Sequence, residues 1–440
     1  MITDTDCSCT LNELEFFEPI NKQVILDKAQ WVDIHPLNNL SSNSPIEFNI
    51  NGSTDELLDF NNAMLHLQLK IVNAADNANL RDTDVVAPVN NWFHSCFSDV
   101  ILTIGGTQVE GGNQNYPYKA YLMNLLSHNK GTKETQLQSN GWYKDVAGHM
   151  NAHTDTNTGF TARKTLKGLS VSVDLCGPLL LDFFMQNKYC LHNIDVGIKL
   201  VPSKPEFQTL MFTANTVDNR ATALKVIYEK AVLYVRRVKA IPSFINGLEE
   251  SLNSQNAIYP LQRTELITYT IPQGNTTHNK ESLFRGLMPK LVLVGFVRND
   301  AYNGAYRQNP FNFQNFTLNQ LAMFREGESI PFRPFTPDFE NNKYQREYIS
   351  LMQAINIYHK NENIDISPTD FKNGYTIFGF NLTPDLTVAD HAQPIRDGNI
   401  RLEVKFGTAL AQTVNVIIMG IFDAKLEITK YRNVLMDWKS

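Results

Sequence analysis

Charge is scarce in this 440-residue sequence, in which only 19% of the residues are Asp, Glu, Lys or Arg. The formal net charge is -6, and the first thirty residues carry six acidic side chains rather than a basic arm. Because proteins bind phosphate groups through clustered Lys and Arg, the composition argues against direct, sequence-specific contact with nucleic acid.

Long apolar segments and regularly spaced cysteines are also missing. The longest apolar runs, LVLVGFV from Leu291 and VIIMGIF from Val416, are far shorter than the roughly 20 residues that a membrane-spanning helix requires. The five cysteines show no regular spacing, and the N-terminus lacks the features of a secretory signal. We therefore expect a soluble chain without a transmembrane segment, made in a reducing compartment.

Catalytic and metal-binding motifs are equally scarce. His149 and His153 are four residues apart, a spacing that suits metal binding on a helix, but the surrounding Gly and Asn residues favour a loop and no third ligand is identifiable. His94, Ser95 and Cys96 place a candidate base beside candidate nucleophiles, yet nothing identifies a carboxylate that would orient the histidine. We expect no enzyme activity, no catalytic residue, no cofactor and no bound metal.

What the sequence does have is apolar and aromatic side chains: 42% of the residues are hydrophobic, including 26 Phe and 16 Tyr. Together with abundant Asn and frequent Pro and Gly, these residues favour β-strands joined by long loops. Since single cores usually stop growing at roughly 250 residues, the length predicts two domains.

The same order of elements occurs twice along the chain. Each copy contains an apolar strand, a tight hairpin, a helix, a strand stopped by proline, an alternating strand, and a closing pair of strands with a short break. In the first copy these elements are 60–72, 101–111, 116–128, 170–178, 193–201 and 225–239, and in the second they are 289–297, 321–332, 344–360, 375–384, 399–407 and 415–430.

The offset between the copies changes along the chain. It is 226 from Tyr118 to Tyr344, 206 from Pro178 to Pro384 and 191 from Lys239 to Lys430. Two β-rich halves can often be aligned by eye, but six matched elements in one order favour a true repeat. The 20 extra residues after the first helix must lie within 129–164, a stretch long enough to predict an ordered projection rather than a simple loop.

These patterns predict an all-β protein with a few short helices, built as two tandem eight-stranded jelly-roll β-sandwiches with one helix inserted after the fourth strand of each. The expected divisions are an N-terminal arm at 1–44, a first jelly roll at 45–240, a linker at 241–258 and a second jelly roll at 259–440.

One irregular segment, 299–316, concentrates aromatic residues and arginine among Asn and Gln. This composition is typical of protein interfaces, although a loop folded back on its own core would explain it equally well. The candidate inter-subunit contacts are Tyr302, Tyr306, Arg307, Phe311, Phe313 and Phe316.

Several longer motifs resemble one protein family. PLNNLSSNSPIEFNI from Pro36, NYPYKAYLMNLL, GWYKDVAGHMNA, VGFVRNDAYNGAYRQNPFNF and GNIRLEVKF are similar to the double jelly-roll major capsid protein of Polinton (Maverick) elements and adintoviruses, within the adenovirus-like and virophage-like lineage. The likeness extends over roughly residues 31–435, and the acidic first thirty residues match nothing in it.

The resemblance implies a virion protein without catalytic residues. Its members form homotrimeric, pseudo-hexameric capsomers that tile an icosahedral shell around a double-stranded DNA genome. The implied partners are further copies of the chain, neighbouring capsomers, a single jelly-roll penton protein and minor capsid proteins. Synthesis in the host cytosol is implied, with the nucleus as a candidate place of assembly.

Two other readings remain open from the residues alone. A carbohydrate-binding double β-sandwich, such as a viral adhesin, would display an exposed aromatic platform with carboxylates and would bind glycans. A cupin-type metalloenzyme would use a jelly roll to hold stoichiometric metal, although the His-x-His cluster of cupins is absent.

Overall fold

The computed structural model of the chain describes residues 22–81, 84–212, 223–284, 286–386, 392–394 and 396–438. The first half of the predicted arm, including Cys7 and Cys9, lies outside these residues.

Nineteen strands occur within the described residues. The first ten are β1 (Leu26–Ile34), β2 (Ile46–Ile50), β3 (Glu56–Asn73), β4 (Val86–Pro88), β5 (Phe97–Ile104), β6 (Thr107–Glu110), β7 (Val173–Gly177), β8 (Val196–Pro202), β9 (Thr209–Met211) and β10 (Leu224–Ala240). The others are β11 (Ala257–Ile271), β12 (Thr277–Lys280), β13 (Leu291–Arg298), β14 (Leu318–Arg325), β15 (Glu328–Phe335), β16 (Ile377–Asn381), β17 (Ile400–Phe406), β18 (Val414–Ile428) and β19 (Val434–Met436).

The strands form two sandwiches with the same antiparallel topology. The first contains the sheets β1-β10-β3-β7 and β2-β8-β5-β6, and the second contains β11-β18-β13-β16, extended by β19, and β12-β17-β14-β15. Strands β4 and β9 pair separately. In each sandwich eight strands alternate between two four-stranded sheets in the order of a jelly roll. The predicted fold class is confirmed.

The burial of the strands follows from their sequence patterns. Strand β8 alternates between buried and partly exposed side chains, as a strand with one core face should. Strand β13 is buried at seven of its eight positions, because it lies between β18 and β16 within its sheet and both of its faces are covered. Its apolar sequence therefore matches its burial.

Nine α-helices and two 3-10 helices occur in the described residues. They are α1 (Trp92–Ser95), α2 (Tyr116–Ser127), α3 (Lys130–Glu134), α4 (Thr158–Lys167), α5 (Pro205–Gln208), α6 (Pro242–Leu252), α7 (Asn299–Asn303), α8 (Gln345–Ala354) and α9 (Pro368–Lys372), with 3-10 turns at Gln136–Asn140 and Asp182–Met185.

Several predicted details were wrong. The helices α2 and α8 follow the fifth sandwich strand of each jelly roll, not the fourth, because β1 and β11 each add a first strand. Helix α8 is shorter than the predicted 344–360, since Asn356 adopts a left-handed conformation with φ of 59° that ends the helix.

The closing strands are also longer than predicted. The two strands predicted at the end of each copy form one continuous strand, β10 in the first copy and β18 in the second. In β10, two register shifts in the pairing with β3 take the place of the expected break. Residues 26–34, assigned to the arm, form the edge strand β1. Most of the predicted linker folds as α6.

Gly295 in β13 illustrates how tightly the second core is packed. A Cβ at this position would lie 2.5 Å from Cδ1 of the fully buried Phe313 ring, whereas a Cβ at Gly197 in β8 would have only an ordinary contact of 3.7 Å with Thr103. We expect Gly295→Ala to lower the free energy of unfolding by about 1–3 kcal/mol through overpacking. Gly197→Ala should be neutral within about 0.5 kcal/mol. Urea unfolding of both variants checks this, and equal losses would contradict it.

Candidate functional site

The aromatic segment 299–316 lies between the two jelly rolls of the same chain. The Phe311 ring stacks on Tyr121 of α2 with centroids 4.1 Å apart, and Tyr118 stacks on Tyr302 at 5.6 Å. The hydroxyl of Tyr118 donates to the carbonyl oxygen of Pro310 at 3.1 Å. The segment therefore joins the two units within one chain.

The predicted inter-subunit residues differ in their exposure. Phe311 and Phe313 are fully buried inside the chain, because α2 and the second core cover them, and their role is intramolecular. Tyr302, Tyr306 and Phe316 are partly buried and Arg307 is exposed. A contact of this segment with another subunit stays a prediction.

A fully buried ion pair anchors the long loop of the first jelly roll. The guanidinium of Arg163 donates to the Asp145 carboxylate at 2.7 Å, and both side chains have no exposed surface. The amide groups of Asn157 and Asn309 donate to the same carboxylate at 3.0 and 2.9 Å. The hydroxyl of Tyr375 donates to the Asp145 carbonyl at 2.6 Å. Since Asn309 and Tyr375 belong to the second jelly roll, this network crosses the boundary between the units.

Two lysines of the stretch 129–164 make further contacts with the second jelly roll. The Lys133 amine donates to the carbonyl oxygen of Ile364 at 2.6 Å, and Lys144 lies 3.1 Å from the Asp370 carboxylate. Burial lowers the pKa of Lys133 to about 7. The stretch is held by α3, α4 and these contacts, and whether it forms a projection stays a prediction.

A cleft of about 1030 Å³ lies between the two jelly rolls. Its lining includes β6 and the start of α2 on one side and part of β11 on the other. At its wall the buried Lys119 amine contacts the carboxylates of Glu110 and Asp182, the latter at 2.7 Å. The second carboxylate oxygen of Asp182 accepts the N–H of Thr264 at 2.8 Å, so this cluster also joins the two units.

The charges in this cluster influence one another. Burial and the neighbouring Asp182 carboxylate raise the pKa of Glu110 to about 7. Burial would lower the pKa of Lys119, but the two carboxylates outweigh burial and raise it. Lys119 therefore stays charged at neutral pH.

The candidate catalytic and metal-binding residues are not arranged for chemistry. The hydroxyl of Ser95 donates to the carbonyl oxygens of Asn90 and Asn91 rather than to His94. Burial lowers the pKa of His94 to about 3 and raises the pKa of the Cys96 thiol, so neither side chain is activated. In the described part of the chain, no three His, Cys, Asp or Glu side chains come together as metal ligands.

His149 and His153 do not share a helix. Residues 145–157 form an irregular loop, in which His149 is exposed and His153 stacks on Phe212 with ring centroids 4.7 Å apart. None of the helices in the described residues is long and apolar enough to cross a membrane.

Sequence reasoning missed the buried polar groups, Asp145 with Arg163 and Lys119 with its two carboxylates. Asp145 does lie in the distinctive motif GWYKDVAGHMNA, but charged residues in a polar stretch ordinarily face solvent. Only the position of Lys119 on the otherwise apolar α2 could have indicated a buried partner.

Comparisons with known proteins agree with this architecture. A chain of the Sputnik virophage structure superposes with a TM-score of 0.63 at 14% identity, covering 98% of this chain and 92% of that one. The Faustovirus major capsid protein gives 0.55 at 10% identity, covering 94% and 92%. The mavirus major capsid protein gives 0.51 at 12% identity, covering 99% and 96%. The fold is that of viral double jelly-roll capsid proteins.

Sequence comparison is less informative than the fold. No family model matches the chain. An uncharacterized protein of Caenorhabditis elegans is 25% identical over 428 residues, which cover 94% of this chain and 98% of that protein. This relative has no described activity, so the structural likeness is the more informative comparison.

Removing one member of the buried pair should destabilise the protein strongly. In Arg163→Met the Asp145 carboxylate stays buried without its cation, and we expect a loss of about 3–5 kcal/mol in the free energy of unfolding. Lys130→Met removes one member of the exposed pair Lys130–Glu134 and should cost less than about 0.5 kcal/mol. Denaturant titration measures both; similar losses in the two variants would show that the buried pair has no special role.

The raised pKa of Glu110 predicts a pH dependence of stability. Because the folded-state pKa of about 7 exceeds the ordinary value of 4.5, the stabilisation that this group contributes is complete below about pH 4.5 and is lost as the pH rises through 7. Glu110→Gln should remove this slope, which amounts to about 3 kcal/mol at most. Unfolding free energies measured between pH 5 and pH 8 test this, and an unchanged slope in the variant would contradict it.

Proposed function

We propose that this chain is the major capsid protein of a double-stranded DNA virus or virus-like element. The observation that carries the proposal is the match of both jelly rolls, over nearly their whole length, to capsid chains of a virophage, Faustovirus and mavirus. A partial likeness would have involved one sandwich, a fold that many unrelated proteins share. Here the tandem arrangement itself is matched.

The proposed assembly is a homotrimer. Two jelly rolls in each of three chains give six similar lobes, and a six-lobed particle can occupy a hexagonal position in an icosahedral shell. Its partners would be neighbouring capsomers, a single jelly-roll penton and minor capsid proteins. The protein would act as a structural, non-enzymatic component of the virion.

We propose boundaries for the two units that follow the strands. The first unit runs from β1 to β10 and the second from β11 to β19, joined through α6. The stretch 129–164 would face outward from the shell and the chain termini inward.

The proposed source is a Polinton-like or adintovirus-like element. The motifs quoted above support this lineage, and the relative from a nematode is consistent with an element that integrates into animal genomes. Synthesis would take place in the host cytosol, with assembly there or in the nucleus.

The oligomeric state of the purified full-length chain tests the proposal. Size-exclusion chromatography with light scattering should give the mass of three chains, and electron microscopy should show six-lobed particles that form hexagonal arrays at high concentration. A strict monomer at high concentration would contradict a capsid role. A glycan-array signal or stoichiometric bound metal would instead favour the carbohydrate-binding or metalloenzyme readings.

A further inference from the structure

A second cavity, separate from the cleft beside Lys119, lies between the two jelly rolls. It is a polar pocket of about 630 Å³, formed where residues 148–152 of the first jelly roll meet residues 308–317 and 372–374 of the second. Its volume is that of a typical small-molecule site. Two of the distinctive sequence motifs, GWYKDVAGHMNA and VGFVRNDAYNGAYRQNPFNF, contribute to it, and several of their polar side chains stay partly exposed there.

The walls of the pocket are held in place by hydrogen bonds. The backbone N–H of Gly148 donates to the carbonyl oxygen of Asn373 at 2.6 Å and so joins the two jelly rolls. The side-chain amide of Asn151 donates to the side-chain oxygen of Gln308 at 3.0 Å. A ligand would therefore meet a preformed site, and its binding would require little ordering of the protein.

A strained turn places Phe316 in the pocket lining. Phe316 and Thr317 are consecutive residues with positive φ, of 43° and 53°, a conformation that is rare for a bulky side chain. The N–H of Thr317 donates to the side-chain oxygen of Asn315 at 3.0 Å, and its carbonyl oxygen accepts the N–H of Gly407 at 2.8 Å. Strained backbone of this kind is concentrated at binding sites. The partly buried Phe316 ring gives the pocket an apolar surface.

Several amide groups in the pocket have no hydrogen-bond partner. Among the described residues, the side chains of Asn312 and Gln314 make no hydrogen bond, and Gln308 uses only its oxygen. Each of these amides has a carbonyl oxygen that accepts and an NH2 group that donates. Because sugar hydroxyl groups also both donate and accept, a saccharide can pair with these amides where an apolar ligand cannot.

The charge of the pocket selects among saccharides. The Lys372 amine donates to the side-chain oxygen of Asn342 at 2.8 Å, so the partner of this cation is uncharged. Arg298 is already paired with Asp300 at 2.6 Å. Among the described residues that line the pocket, none is Asp or Glu. A carboxylate or sulfate group on the ligand would therefore be attracted to Lys372 and would meet no carboxylate in the lining.

We propose that this pocket binds an acidic saccharide, a sugar that carries a carboxylate or a sulfate group. Lys372 pairs with the acidic group, Asn312 and Gln314 bind hydroxyl groups, and Phe316 packs against the C–H face of the sugar ring. The role of the pocket rests on the proposed function, because residues 148–152 belong to the stretch 129–164, which would face outward from the shell. There the pocket attaches the particle to acidic glycans of a host cell.

Binding of defined saccharides to the purified full-length chain tests the proposal. In isothermal titration, sialyllactose supplies a carboxylate, a heparin-derived tetrasaccharide supplies sulfate groups, and lactose is the uncharged comparison. We expect at least one of the acidic saccharides to bind, and to bind more weakly at high salt because the ion pair is screened. Lactose should bind about tenfold more weakly or not at all, since it lacks the charged hydrogen-bond acceptor.

Replacing the cation shows whether the acidic group binds at this pocket. Lys372→Met should weaken binding of the acidic saccharide about tenfold or more, which is the usual contribution of a hydrogen bond to a charged group. Lys225→Met is the matched control. Lys225 also donates to an asparagine side-chain oxygen, that of Asn77 at 3.1 Å, but lies outside the pocket.

Replacing an unpaired amide tests the contacts with the hydroxyl groups. Gln314→Ala should weaken binding about 3- to 10-fold, through loss of a hydrogen bond between uncharged groups. Its control is Gln320→Ala, because Gln320 is also partly buried but lies outside the pocket. Both control variants should bind like the wild-type protein. Circular dichroism and light scattering should show that all four variants keep the fold and the oligomeric state.

The outcomes separate this inference from the proposed function. A trimer that binds neither acidic saccharide, or that binds them equally well in Lys372→Met and Gln314→Ala, keeps the capsid function and overturns this inference. Loss of the trimer in these two variants would show that a neighbouring subunit covers the pocket, which also overturns it. Saccharide binding by a wild-type protein that stays monomeric favours the carbohydrate-binding reading and contradicts the capsid role and, with it, the attachment role.

Discussion

The Asp145 carboxylate is the constraint on which the arrangement of the two jelly rolls most depends. Because this carboxylate is fully buried, its charge needs a paired cation and its oxygens need hydrogen-bond donors. Arg163 supplies the cation, and Asn157 and Asn309 donate the hydrogen bonds. Those partners come from the C-terminal end of a long insertion and from the second jelly roll. A single buried charge thereby fixes the fold of the insertion and the position of one sandwich relative to the other.

Buried apolar side chains pack around this polar centre. The aromatic stack of Tyr121 and Phe311 and the packing of Phe313 against Gly295 make one continuous core out of residues from both units. Charged residues are few by contrast, at 19% of the sequence.

Sequence reasoning predicted the elements whose local pattern is strong. The period-two strands β8 and β17, the hairpins at Gly105 and Glu326 and the helix α2 were all recognised, because alternation, turn residues and a helical apolar stripe are local properties. Errors arose where partners decide the structure. Strand β1 lacks a regular alternation of apolar and polar residues and forms because β10 pairs with it. Asn356 ends α8 through a backbone conformation that no pattern specifies.

The sequence by itself therefore determined the duplication, the two-sandwich class and the absence of recognisable catalytic motifs, since periodicity, offsets and motif content are written along the chain. Only the tertiary structure decided that segment 299–316 packs between the two jelly rolls, and that Asp145 and Lys119 are buried rather than solvated. The physical reason is that burial depends on contacts between residues far apart in the chain, which local composition does not encode.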